Sequence, residues 1–186
     1  MQPKPDYRKH QLARLKAAAP ETQAAGPALL ATLMTLPEWQ QARTIATTVA
    51  SPIEVPTAPL IQAALAAGKQ VFLPKTMPHR QMAFLPDPGP AARITSPYGI
   101  PEPAYAEAQV NNQVDLVIVP GIAYALDTHA RLGFGGGYYD RFLAQYRGAT
   151  VTLAAPVMAL STAAWPIEAT DVLLQTVITR TGIHRL

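Results

Sequence analysis

Two strand-like runs on either side of one short helix constrain this chain more than any other feature. TIATTVA (44–50) is β-branched and small, LIQAALAA (60–67) carries helical spacing and stops at Gly68, and QVFLP (70–74) resumes as a strand. A strand, helix and strand in so short a stretch form a βαβ unit, with parallel strands and a right-handed crossover. Strands in such sheets are covered on both faces and run apolar without alternation. DLVIVPG (115–121) has that character, with four consecutive apolar residues between an aspartate and a Pro-Gly stop. MAFL (82–85), VTLAA (151–155) and VLLQTVIT (172–179) supply further strands.

Helical spacing covers residues 4–19, with Arg8, Leu12, Leu15 and Ala19 on one face and Pro5 near the start, where proline is tolerated. Further helices are expected over about 25–36, from Pro37, and over about 138–146. The predicted fold class is α/β: one three-layer, Rossmann-like domain over residues 1–186, with a mostly parallel central sheet and helices on both faces.

A chain of 186 residues, 49% of them hydrophobic, is large enough to bury a core. No apolar run approaches the roughly 18 residues of a membrane span, and MQPKPDYRKHQ has no apolar signal core. The expectation is a soluble, cytoplasmic protein with no membrane partner. The absence of cysteine excludes disulfides, thiolate chemistry and Cys-based zinc sites. A net charge of +3 without a Lys/Arg run argues against nucleic acid, while a modest positive field favours small anions.

Ligands of parallel sheets bind beyond the carboxyl ends of the strands, which directs attention to loops 50–57, 74–80, 97–104 and 120–137. In RLGFGGGYYDRFL (131–143), Gly133, Gly135, Gly136 and Gly137 lie between a strand and a helix start, an arrangement that makes an anion site from free backbone N–H groups. The spacing is not G-x-G-x-x-G, because the third glycine falls on Tyr138, and no lysine follows as in a Walker A loop. A tight, unliganded turn is the alternative. Asp140 is either an ordinary N-terminal helix charge or a Mg²⁺ ligand. Lys4 and Arg8 share a helix face and oppose the dipole, which suggests an anionic partner or else solvated charge. Glu54, in SPIEVPT, is a solvated loop acid or an acceptor for a substrate N–H, and Glu102 in YGIPEP poses the same choice. His10, His79, His129 and His184 lack metal-ligand spacing, and no nucleophile elbow is present.

With these residues in place, the chain resembles the 5-formyltetrahydrofolate cyclo-ligase (methenyltetrahydrofolate synthetase) family, collinearly over nearly its whole length. Lys4 to Arg8 matches K-x-x-x-R, EVPT, VFLPKT and GIPEP follow in order, and VPGIAYALDTHARLGFGGGYYDRFL resembles the family's PG-x-A-F-D segment leading to R-L-G-x-G-x-G-Y-Y-D. The resemblance implies ATP- and Mg²⁺-dependent conversion of 5-formyltetrahydrofolate to 5,10-methenyltetrahydrofolate, releasing ADP and phosphate. In it the formyl oxygen is phosphorylated and N10 attacks. It further implies that Lys4 and Arg8 bind ATP phosphates and that Arg131, Leu132, Gly133, Phe134, Gly135, Gly136, Gly137, Tyr138 and Tyr139 wrap the nucleotide. Arg131 and Asp140 would be catalytic, Asp140 and Asp171 would hold Mg²⁺, and Val49, Glu54 and Tyr138 would meet the folate. The implied partners are ATP and the folate alone, and the expected state is a monomer.

Three departures stand out. The family's His-Asp pair reads Thr170-Asp171; its Phe-Asp reads Tyr124-Ala125, with Asp127 displaced and one extra residue before Arg131; and Gly136 stands where some members have lysine. The last shifts part of the phosphate neutralisation to Arg131, Lys75 or Arg141. A non-catalytic folate- or nucleotide-binding paralogue of the same fold is therefore the alternative. The basic PKTMPHR loop, with Lys75 and Arg80, meets a polyglutamate tail or is solvated.

Overall fold

Proline decides where the N-terminal helices begin. The computed structural model describes residues 1–186. Helix α1 (Lys4–Ala17) has Pro5 in its first turn, and α2 (Ala19–Thr35) has Pro20 there, so the chain breaks at Ala18 and a second helix starts. Residues 4–19 are thus not one helix, and α2 starts earlier than residue 25, carrying Pro27 inside it. The buried face of α1 is Tyr7, Gln11 and Leu15, one residue round from the face expected from the spacing. The cause is Gln11, whose amide is fully buried and donates to the carbonyls of Ile122 (2.8 Å) and Val157 (2.9 Å). Helices α3 (Pro37–Gln41), α4 (Ala58–Ala66) and α5 (Tyr138–Leu143) follow.

The strands, in chain order, are β1 (Thr44–Ala46), β2 (Gln70–Thr76), β3 (Met82–Pro86), β4 (Ile94–Thr95), β5 (Pro101–Glu102), β6 (Leu116–Ile118), β7 (Ala123–Ala125), β8 (Arg131–Leu132), β9 (Ala149–Leu153), β10 (Ala159–Leu160), β11 (Thr176–Thr179) and β12 (Gly182–Arg185). Seven of them form the main sheet in the order β12-β11-β9-β6-β1-β2-β3. The pairings β1–β2, β1–β6, β6–β9 and β9–β11 are parallel, and only the two edges, β2–β3 and β11–β12, are antiparallel. Every residue of β6 and β11 is buried, as expected for strands covered on both faces. Helix α2 packs on β9 and β11, α4 on β2 and α5 on β3. One apolar cluster includes Leu15, Leu29, Leu33, Leu60, Phe84 and Trp165, each side chain contributing about 2 kcal/mol of burial.

Several strands are shorter than their apolar runs. β1 stops at Ala46, β6 at Ile118, and β11 starts only at Thr176. The Thr47 and Val119 amides still bond Phe72 and Val151 of the neighbouring strands, residues 48–50 and 120–121 leave the sheet for the loops beyond its carboxyl edge, and residues 172–175 lead into the amino end of β11. A small second sheet, β10-β7-β8, sits among those loops, with β7 antiparallel to β8 and parallel to β10. No helix is long and apolar enough to cross a membrane.

Candidate functional site

The parallel strands bring their carboxyl ends to one edge, and the sequence-predicted residues gather there. Arg131 lies on β8, opposite Tyr124 of β7, so a short hairpin rather than a loose loop aims it. Its Nη1 donates to the Pro120 carbonyl (3.1 Å) and its Nη2 to Asp140 (3.0 Å). The guanidinium stands over the Tyr139 ring, 5.7 Å from the centroid. With a side chain only 4% exposed, this is a buried, oriented cation, and its Nε has no partner.

The glycine loop is bare partly because arginines lie against it. Arg8 Nε donates to the Gly133 carbonyl at 2.9 Å. A Cβ on Gly133 would stand 2.6 Å from Arg131 Nη1, and one on Gly135 would stand 3.2 Å from Arg8 Cζ. Gly135 and Gly137 also have φ of +107° and +69°, and Gly137 caps α5. Burial presses the Arg8 guanidinium below its usual value. Arg141 Nη1 donates to the Gly137 carbonyl (3.2 Å) at an exposed position. Leu132 turns its side chain into the core, so only its backbone borders the loop, while Phe134 stands exposed within it.

Lys4 is not a solvated charge. Its ammonium donates to both oxygens of Asp171 (2.7 and 2.8 Å) and to Glu168 (3.0 Å). Burial pulls its pKa down, but the Asp171 and Glu168 carboxylates more than offset this and hold it above the usual lysine value. Asp171 also accepts from the Glu168 amide at 2.9 Å. The next residue, Val172, approaches Asp140 with its amide at 3.5 Å, so the two aspartates lie on adjoining segments. No group of three or more His, Asp or Glu side chains clusters as a metal cage. Asp140 and Asp171 are each already paired, with Arg131 and with Lys4, so they would hold Mg²⁺, which takes one or two carboxylates with waters and phosphate oxygens, only in exchange for those ion pairs.

Glu54 lies on the loop after β1. Burial raises its carboxyl above the ordinary glutamate value, and the Ser51 amide, donating at 2.9 Å, offsets only part of that. Gln23 ties this loop to α2 through the carbonyls of Pro52 and Glu54. A pocket of about 30 Å³ opens beside Glu54, walled by Thr47, Thr48, Ala50, Gly121 and Tyr124. Val49 does not line it; its half-buried side chain packs on the core instead. A wider cleft of about 490 Å³ runs between Lys75, Arg80, Tyr98 and Tyr138. The Tyr98 and Tyr138 hydroxyls meet at 2.8 Å across it. Glu102, one reading of which was a solvated acid, is buried: it accepts from Lys75 Nζ (3.0 Å), the Thr76 amide (3.1 Å) and the Thr76 hydroxyl (2.8 Å).

The model of the 5-formyltetrahydrofolate cyclo-ligase family matches residues 1–180. The chain belongs to this family. A probable 5-formyltetrahydrofolate cyclo-ligase of Schizosaccharomyces pombe is 32% identical over 117 residues, which are 60% of this chain and 57% of that protein. The 5-formyltetrahydrofolate cyclo-ligase of Escherichia coli is 32% identical over 139 residues, 72% of this chain and 76% of that one. The chain thus spans little more than half of the yeast relative it matches. The solved structure of Aquifex aeolicus 5,10-methenyltetrahydrofolate synthetase superposes with a TM-score of 0.82 at 29% identity, covering 98% of this chain and 92% of that one.

Against the cyclo-ligase pattern, the departures fall at different depths. Ala125 is fully buried in β7, whereas Asp127 is exposed on the turn that follows and Thr170 is exposed beside Asp171. Tyr98, Thr47 and Tyr124 were not legible as site residues. Tyr98 carried the one usable signal, an aromatic in a Pro/Gly loop at the ligand edge. Thr47, just past β1, and Tyr124, on β7, join the site through the pocket beside Glu54.

Proposed function

We propose that this chain is a 5-formyltetrahydrofolate cyclo-ligase that uses ATP and Mg²⁺ to form 5,10-methenyltetrahydrofolate, ADP and phosphate. The observation that carries the reading is that Arg8 and Arg131 lie against one bare loop backbone at the ligand edge of the sheet, where Lys4, on the same helix as Arg8, pairs with Asp171 and Glu54 is half-buried. An amide-like formyl oxygen is a poor leaving group. Phosphorylation of that oxygen lets N10 attack the carbon and phosphate depart. Phosphoryl transfer needs positioning and charge neutralisation more than a nucleophile, and these residues supply both.

In this reading Lys4 and Arg8 bind the phosphates, and the backbone from Gly133 to Gly137 lies along them. Arg131 orients the transferred group, held in place by Pro120 and Asp140. Glu54 accepts hydrogen bonds from the folate ring, and Tyr138 borders the cleft through which the folate extends. Asp140 and Asp171 would hold Mg²⁺, which would supply further neutralisation of phosphate charge.

Mixing the protein with 5-formyltetrahydrofolate, ATP and Mg²⁺ is expected to produce the ultraviolet absorbance of the methenyl product. Retained binding of folate and nucleotide with no product, under any metal or pH condition, overturns the reading in favour of the non-catalytic paralogue.

A further inference from the structure

Two polar atoms on stacked side chains at the heart of the site are buried and have no hydrogen-bond partner: Nε of Arg131 and the hydroxyl of Tyr139. The other nitrogens of Arg131 are committed to Pro120 and Asp140. Tyr139 opens α5 directly after the glycine loop, and its hydroxyl lies within charge range of Arg131, Glu54 and Tyr124. A buried hydroxyl without a partner costs stability, and phenylalanine would fill the same space without that cost. The ring is needed to receive the Arg131 guanidinium; the oxygen is not.

We propose that the Tyr139 hydroxyl is a catalytic hydrogen-bond donor to an oxygen of the phosphoryl group as it passes from the nucleotide to the formyl oxygen. This rests on the cyclo-ligase reading above. In the step, a lone pair of the formyl oxygen forms the new O–P bond. The bond from the γ-phosphorus to the β,γ-bridging oxygen breaks, and its electrons leave with ADP. The phenolic proton stays on Tyr139 throughout. A fixed neutral donor in a site that excludes water stabilises the phosphoryl oxygens without reorganisation during the reaction. A buried hydroxyl that no protein group satisfies is the counterpart of that role.

The test is Tyr139→Phe, assayed beside the wild type for turnover and for thermal unfolding without ligands. The expected result is a kcat lower by about 100-fold, the order seen when one such donor is removed. The KM values for ATP and folate should change little, and Tm should be equal or higher. A variant as active as the wild type overturns the proposal while leaving the cyclo-ligase reading intact. A variant that loses Tm together with activity also overturns it, because the hydroxyl then has a structural partner. A wild type without turnover overturns both.

Discussion

Asp140 accepts from the buried Arg131 guanidinium and is also the carboxylate proposed to hold Mg²⁺, so substitutions there separate two roles. Asp140→Ala strands a buried cation and should cost roughly 3 kcal/mol in stability. Asp140→Asn keeps an oxygen acceptor for Arg131, so its Tm should stay close to wild type while turnover falls at least ~100-fold. An Asn variant with wild-type turnover would remove Asp140 from the chemistry. Glu54 offers a test by pH. Burial holds its carboxyl above the ordinary glutamate value, so the folded protein keeps that proton to higher pH than the unfolded chain. The unfolded state binds fewer protons in that window, and stability therefore falls as pH rises through it. Glu54→Gln should flatten this slope in urea titrations at several pH values. It should also raise the folate KM about tenfold or more, the scale of a hydrogen bond to a charged acceptor, with little effect on the ATP KM. Equal losses for both substrates would assign Glu54 to structure instead.

At the scale of elements, the glycine loop can be set against a glycine that serves the backbone alone. Gly68 ends α4 with φ +72° and nothing within 4 Å of its Cβ position, whereas Gly135 has φ +107° and Arg8 at 3.2 Å. Alanine at either position meets a left-handed backbone, at about 1–2 kcal/mol. Only Gly135→Ala should also displace Arg8 and raise the ATP KM; Gly68→Ala with the same kinetic defect would mean that the loop effect is merely one of stability. The same elements mark what sequence reasoning reaches. The βαβ unit and the run around Val117 were legible because apolar residues covered on both faces leave an unmistakable pattern. Their ends were not, because Thr47 to Val49 and Val119 are as apolar or β-branched as strand residues, and the Thr47 and Val119 amides still bond the neighbouring strands although the chain turns away beyond them. The hairpin that aims Arg131 was invisible for a related reason: two- and three-residue strands have no periodicity to read. Gln11 and Glu102 misled because a buried polar side chain looks like surface until its partners, over a hundred residues away for Gln11 and 26 for Glu102, are known.

The N-terminal segment is tied to the last third of the chain over the site. The Gln2 amide donates to the Ala164 carbonyl at 3.1 Å, Lys4 grips Asp171, and Arg8 reaches Gly133. Helix α1 therefore supplies two proposed phosphate-binding cations from the outside of the fold, and something must fix its height and rotation. Gln11 does this: one amide group bonds the carbonyls of Ile122 and Val157, just before β7 and close to β10, and its own oxygen accepts from Arg14. Removing it leaves buried carbonyls unpaired, at roughly 3 kcal/mol, or about 6–12 °C in Tm for a chain of this size. Because Arg8 lies about one turn away on the same helix, loosening α1 should also raise the ATP KM several-fold, while the folate KM, set by the loop after β1, moves much less. Gln11→Ala, assayed for both KM values well below its Tm, checks this. If folate and ATP suffer alike, α1 stabilises the whole sheet edge and does not specifically position the cations.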